Sequence, residues 1–232
     1  MFRLMLPAVA VTFALWSASP AADPKPILPF NGKDLSGWKL KDEKKSKWKV
    51  MQVVVNDKEP TVFSKPAVLS DQYDLVNLEG GCDIYTEAKF GDCLVELEFM
   101  IPKGSNSGVY LMGEYEVQIL DSFGKPNDKL GPGDMGGIYN NAAPKVNACK
   151  KPGEWQKFVI DFQAPRFEGD KKTANAKFIK VTLNDQVIHE NVEAKGSTGG
   201  GLTGKEAATG PLMFQGDHGP VAFRNIKITP RK

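Results

Sequence analysis

The chain has 232 residues, of which 30 are Lys or Arg and 28 are Asp or Glu, giving a formal net charge of +2. So even a balance supplies no electrostatic footprint for nucleic acid or another polyanion. Two histidines and three cysteines (Cys82, Cys93 and Cys149), none of them closely spaced, carry no zinc-site signature and allow at most one internal disulfide.

Arg3, the apolar run Leu4 to Trp16 and the small residues Ser17 to Ala22 form the pattern of a secretory leader. Cleavage after Ala21, with Ser19 at the third position before the cut, defines residues 1–21 as the expected signal peptide. A periplasmic or extracellular location follows from it. The apolar run is well short of the roughly 20 residues of a spanning helix, and no later segment approaches that length, so no membrane span is expected once the leader is removed. Residues 28–232 are expected to form one domain, since all-β domains commonly reach this size. The Lys-rich stretch Lys41 to Lys49, interrupted by Asp42 and Glu43, reads as a solvated loop.

Strand signals then dominate. Short segments rich in β-branched or aromatic residues, bounded by Gly, Pro, Asn or Asp, occur at Trp48–Val55, Ile84–Thr86, Cys93–Ile101, Gly108–Leu111 and Tyr115–Leu120. They continue at Trp155–Phe162, Lys177–Leu183, Gln186–His189, Leu212–Gln215 and Val221–Ile228. Long helical periodicity is missing, and many short strands imply an all-β sandwich of two antiparallel sheets. Asn184-Asp185 predicts a two-residue hairpin, because both residues tolerate positive φ. Gly196 to Gly204 reads as a flexible loop, and a disulfide between Cys82 and Cys93 is conceivable if their strands are neighbours.

The stretch Asn106 to Asp121, with a turn at Gly113 and Glu114, has an unusual alternation. Val109, Leu111, Tyr115, Val117 and Ile119 form the apolar set, while Tyr110, Glu116 and Gln118 project to the other side. That polar row is either an ordinary solvated face or a surface that grips a polar ligand, such as the trough of a curved sheet. Gly136-Gly-Ile-Tyr139 and the amide-rich run to Asn147 form a long loop of the kind that rims binding sites. Gln215-Gly-Asp-His-Gly-Pro220 gathers Gln215, Asp217 and His218. It reads as an Asx-type turn with an exposed imidazole or as a proton-transfer pair. Arg224 lies in an apolar strand, with Phe223 and Asn225 expected on one face and Arg224 and Ile226 on the other. It needs a partner, either a carboxylate such as Glu116 or Asp121 or a substrate oxygen. His189, at a strand end, is expected at the surface. Tyr110, Tyr139, Trp155 and Phe123 are candidate platforms for sugar rings, whereas Trp38 and Trp48 are assigned to the core.

Several of these segments together resemble a known family. Phe30-Asn-Gly-Lys-Asp-Leu-Ser-Gly-Trp38, Asn106-Ser-Gly-Val-Tyr110, Tyr115-Glu-Val-Gln-Ile-Leu-Asp121 and Gly137-Ile-Tyr139 carry the resemblance. So do Ala143-Pro-Lys145, Pro152-Gly-Glu-Trp155, Asp217-His-Gly219 and Phe223-Arg-Asn-Ile226. From about residue 28 onward the chain is similar to the 3-keto-disaccharide hydrolase domain family; Asn56 to Gln72 and Gly196 to Ala208 depart from its pattern. The resemblance implies a concanavalin-like jelly roll and cleavage of glycosides oxidised to a ketone at C3. Glu116 and His218 would then be the proton-transfer pair, with Arg224 as brace or enolate stabiliser. Asn106, Tyr110, Gln118, Asp121, Tyr139, Gln215 and Asp217 would bind the carbohydrate. A divalent cation held by Glu116, Asp121, Asp217 or His218 is an alternative to Arg224 in polarising the ketone. The same fold serves lectins, so a non-catalytic carbohydrate-binding module is the competing expectation, and an adhesion or scaffold domain is a third.

Overall fold

The alternation of Asn106 to Asp121 becomes a hairpin in which Leu111 pairs with Tyr115 and Asn106 with Leu120. Met112 and Gly113, at φ of 55° and 71°, make its turn. A computed structural model of the protein describes residues 24–231; the expected leader at residues 1–21 lies outside them. The strands are β1 (Trp38–Leu40), β2 (Trp48–Met51), β3 (Val54–Val55), β4 (Phe63–Ser64), β5 (Asp74–Asn77), β6 (Ile84–Phe90), β7 (Cys93–Met100) and β8 (Asn106–Leu111). They continue with β9 (Tyr115–Leu120), β10 (Gln156–Gln163), β11 (Arg166–Glu168), β12 (Lys171–Ala174), β13 (Ala176–Leu183), β14 (Gln186–Ala194), β15 (Gly210–Phe214) and β16 (Val221–Pro230).

Two antiparallel sheets account for most of them. One has the order β1-β6-β15-β8-β9 and the other β14-β13-β10-β7-β16-β5-β2, which makes the domain a concanavalin-like jelly-roll sandwich. Non-sequential neighbours such as β15 between β6 and β8 reflect strands that cross between layers. Among the described residues no helix is long and apolar enough to cross a membrane.

The sheets are held together by side chains from alternate positions. Val109, Val117 and Ile119 of the five-stranded sheet meet Val95, Leu97, Phe158 and Ile160 of the seven-stranded one in a single core. Phe214 stacks on Phe223 with centroids 3.9 Å apart, and Tyr115 packs on Phe162 at 5.4 Å, so aromatic pairs bridge the layers. Each such ring, fully buried, contributes about 1.5–3 kcal/mol of transfer free energy. Trp38 and Trp48 are buried as expected.

Several local expectations are corrected. The segment expected as one strand over Trp48–Val55 breaks into β2 and β3, which belong to different sheets. Cys82, Cys93 and Cys149 are all free thiols. The whole seven-residue β6 separates Cys82 from Cys93, too far for a disulfide. In β16 a register shift between Arg224 and Lys227, with Asn225 at φ 52°, interrupts the alternation. Phe223 and Ile226 therefore both reach the core, while Arg224 and Asn225 do not. The Asn184-Asp185 hairpin forms as expected, at φ of 50° and 65°.

Candidate functional site

The site is built on β9, the edge strand of the five-stranded sheet. Its inward residues enter the core, and Glu116 and Gln118 project from the other face, directly opposite Tyr110 and Gly108 of β8. Gly108 is what lets this face close. A Cβ at that position would collide with Oε1 of Glu116, so the carboxyl lies across bare backbone.

An edge strand would normally leave its outer backbone groups to water. Here two loops take them. Gln118 N–H donates to Gly137 O at 2.8 Å, Gly136 N–H donates to Gln118 O at 2.8 Å, and Tyr139 N–H donates to Glu116 O at 3.2 Å. Further along, Glu116 N–H donates to Thr198 Oγ1 at 2.9 Å and Thr198 N–H donates to Glu114 O at 3.0 Å. The loops that satisfy this edge also rise beside the polar face, and they convert it from a wet surface into a buried one. The 196–204 segment, expected to be flexible, is pinned along the edge.

The third wall is the turn after β15. Asn77 reaches it from β5, donating through Nδ2 to Gly216 O and Gly219 O, both at 2.9 Å. Asp83 accepts from Gly216 N–H at 3.0 Å, and the hydroxyl of Ser107 donates to Gln215 O at 2.8 Å. Thus fixed, the turn presents Gln215 and His218 to the pocket, and Asp217 bonds Nδ1 of His218. The imidazole is held in one orientation with Nε2 as its free nitrogen.

These walls enclose a pocket of about 190 Å³ whose lining includes Asn106, Tyr110, Glu116, Gln118, Gln215 and His218, with Tyr139 and Gly200 at its sides. That is below the roughly 300–1,000 Å³ of sites for drug-sized ligands and suits a single ring. Three acceptors in it, Asn106 Oδ1, Glu116 Oε1 and Gln215 Oε1, are buried without a hydrogen-bond partner. Unpartnered buried acceptors are rare because each forfeits its hydration, so a cluster of three calls for a ligand that brings donors. Burial lifts the Glu116 carboxyl to about 7; nearby Asp83 and Asp217 push the same way, and Tyr110 and His218 partly oppose them. Burial and the adjacent Glu116 raise the Tyr110 hydroxyl far above the usual phenol range, so it remains a proton donor.

Not every expected residue is in this pocket. Arg224 lies on the seven-stranded sheet, where its Nε donates to Glu98 at 2.7 Å and its guanidinium stacks 3.8 Å from the Trp155 ring. Glu98, its neighbour across β7 and β16, supplied the partner that the sequence placed at Glu116 or Asp121. The Asp121 carboxylate accepts from Gly104 and Phe123 N–H groups and serves a turn. Trp155 belongs with Arg224, and Phe123 is exposed outside the pocket. His189 is buried, since β14 runs on to Ala194 and places it mid-strand. Its Nε2 bonds Gly136 O at 2.8 Å and thereby supports the loop that carries Tyr139.

The donors considered for a cation do not converge. Asp121 points into its turn, Asp217 is engaged by His218, and among the described residues no group of three or more His, Cys, Asp or Glu side chains is placed so as to hold a metal ion. The residues present do not fit a metal centre, and no step below runs through one. Sequence reasoning missed Asn77, Asp83, Gly108 and Thr198, which shape the pocket from outside it. Of these, only Gly108, a glycine within an alternating strand, carried a local signal.

With this geometry in place the comparison with known proteins is informative. Residues 25–229 match the model of the 3-keto-alpha-glucoside-1,2-lyase-like domain. The chain belongs to this family. One crystal structure from Parabacteroides distasonis, provisionally described as a glycosyl hydrolase, is 30% identical with a TM-score of 0.63, the match covering 89% of this chain and 84% of that one. A second from the same organism, described in the same way, is 19% identical with a TM-score of 0.60 over 89% and 94% of the two chains, and shows the fold alone. No functionally curated protein matches. As a 3-keto-glucoside-lyase-like domain the chain is tied to carbohydrate chemistry, and Glu116 lies inside the matched region.

Proposed function

We propose that this is an exported carbohydrate-active enzyme that cleaves 3-keto-glycosides, with Glu116 as base and His218 as acid. The observation that carries the reading is the Glu116 carboxyl. It is buried, has an unpartnered oxygen, and is lifted to about 7 in a ring-sized pocket that His218 also lines. A base poised near neutrality suits removal of a carbon-bound proton. The family membership supports the substrate class, and the leader pattern of residues 1–21 supports an exported location.

A ketone at C3 makes the C2 proton acidic. Glu116 takes that proton, and the C2–H electron pair delocalises onto the C3 oxygen as an enolate. The enolate then re-forms the ketone, a C1–C2 double bond forms, and the C1–O bond breaks. His218, half-exposed and steered by Asp217, gives a proton to the departing oxygen at the pocket mouth. Water adds across the C1–C2 double bond in the last step, which makes the overall reaction a hydrolysis. With Arg224 on the other sheet, Tyr110 is the donor beside Glu116 that faces the enolate oxygen. Asn106, Gln118 and Gln215, with Tyr139 at the rim, take the remaining hydroxyls.

The test is incubation of the purified protein with a 3-keto-glucoside, following release of the aglycone. Glu116→Gln and His218→Ala are each expected to lower kcat by about 10²–10⁴-fold. Binding of the ketoside without turnover by the wild type would replace this reading with that of a carbohydrate-binding module.

A further inference from the structure

The segment 198–204 walls the pocket without lending it a functional side chain. Gly200, at φ 65°, lies against Tyr110, and a Cβ there would come within 2.7 Å of the hydroxyl. Gly199, at φ 101°, is equally bare. Glycines at such positions are mobile unless something holds them, and here the holder is one buried carboxylate outside the pocket. Oε1 of Glu114 accepts from Thr203 N–H at 2.8 Å and Thr203 Oγ1 at 2.7 Å, and Oε2 accepts from Gly204 N–H at 3.0 Å. The backbone of the same hairpin turn adds two ties: Leu202 N–H donates to Gly113 O at 2.7 Å, and Thr198 N–H donates to Glu114 O. Glycine at 201 is required too, since a Cβ there would strike Oε2 of Glu114.

We propose that Glu114 is a positioning residue that fastens residues 198–204 as a fixed pocket wall, so that substrate binding and the enclosure of Glu116 depend on a carboxylate that never touches substrate. The inference rests on the pocket assignment made above. Its physical basis is that charge-assisted bonds to backbone N–H groups are roughly twice as strong as neutral ones, and that Glu114 has three donors on one segment. Thr198, at the other end of that segment, holds the N–H of Glu116 itself. Loosening one end therefore reaches the base.

The experiment compares the full chain with Glu114→Ala and Glu114→Gln by amide exchange, by NMR titration of Glu116 and by steady-state kinetics. In Glu114→Ala the amides of Leu202, Thr203 and Gly204 should exchange at least about tenfold faster while those of β7 and β10 do not change. The Glu116 midpoint should move down by about one pH unit as water reaches it. KM for a 3-keto-glucoside should rise by more than kcat falls. Glu114→Gln, which keeps one acceptor oxygen and turns an NH2 toward Gly204 N–H, should be intermediate. Should Glu114→Ala fail to fold, Glu114→Gln and Thr203→Val carry the same comparison. Wild-type exchange in the segment, or faster exchange with an unmoved Glu116 midpoint, would overturn the proposal. A wild-type protein without turnover would sink the functional reading, while exchange and titration would still decide the role of Glu114.

Discussion

Gly108 and Glu116 lie on paired strands, and the carboxyl of the second occupies the space where the first would carry a Cβ. This contact places Glu116 against the sheet instead of letting it stand away into water. Gly108→Ala should therefore displace the carboxyl while leaving the core face of β8 intact. The expected result is a folded protein, destabilised by about 1–3 kcal/mol from overpacking, with turnover reduced by at least about 100-fold. Urea denaturation and the ketoside assay check the two parts separately.

The raised Glu116 carboxyl has consequences for stability and rate. A carboxyl near 4.5 in the unfolded chain and about 7 in the folded one binds its proton more tightly when folded. Its contribution to stability is complete below about pH 4.5 and is lost as pH rises through 7, a change of up to roughly 3 kcal/mol. Asp74, raised by burial to about 6, acts in the same direction, so the group must be isolated by mutation. In denaturation curves from pH 4 to 8, Glu116→Gln and Asp74→Asn should each remove a comparable part of the decline. The groups facing Glu116 are Tyr110, His218, Asp83 and Asp217, and substitution of either aspartate should shift the midpoint down. The acid limb of the turnover profile should follow deprotonation of Glu116, because the base works only when deprotonated, and the alkaline limb should follow loss of the proton that the acid donates.

Much of this was legible in the sequence because it is periodic. The alternation Val109, Leu111, Tyr115, Val117, Ile119 against Tyr110, Glu116, Gln118 assigned the two faces correctly, and Asn184-Asp185 gave its hairpin by local chemistry alone. The failures share a cause. Ile226 departs from its expected face because one extra residue bulges β16, and a period-2 reading has no means of detecting an insertion; Arg224 misses the pocket because β16 lies in the other sheet, which no local period reveals. His189 is expected at a strand end, yet β14 continues through Glu190 and Asn191 to Ala194. The enclosing parts of the site, Asn77 and Thr198, act across 139 and 82 residues of sequence. Nothing in their own neighbourhoods signals that partner.

The relocation of Arg224 separates two roles that the sequence left joined. Its ion pair with Glu98 and its stack on Trp155 are both part-exposed, so together they contribute on the order of 1–2 kcal/mol. Arg224→Ala is expected to lower stability by that amount and to leave kcat and KM within about twofold of wild type. A loss of kcat comparable to that of Glu116→Gln would return Arg224 to the chemistry and contradict its placement.

Asn77 makes the opposite case, a residue outside the pocket whose removal should reach the chemistry. It is fully buried, and its Nδ2 lies within 2.7–2.9 Å of three carbonyl oxygens, those of Glu79, Gly216 and Gly219. Asn77→Ala strands these acceptors and should cost about 2–3 kcal/mol. Asn77→Asp should cost more, because a carboxylate would then face three carbonyls with no proton to offer. Both substitutions free the turn that carries Gln215 and His218, so the His218 imidazole resonances should broaden or shift in NMR spectra. Turnover should fall in the molecules that remain folded. If the resonances and turnover stay as in wild type while stability drops, Asn77 braces the sandwich alone, and the orientation of His218 comes from its bond to Asp217.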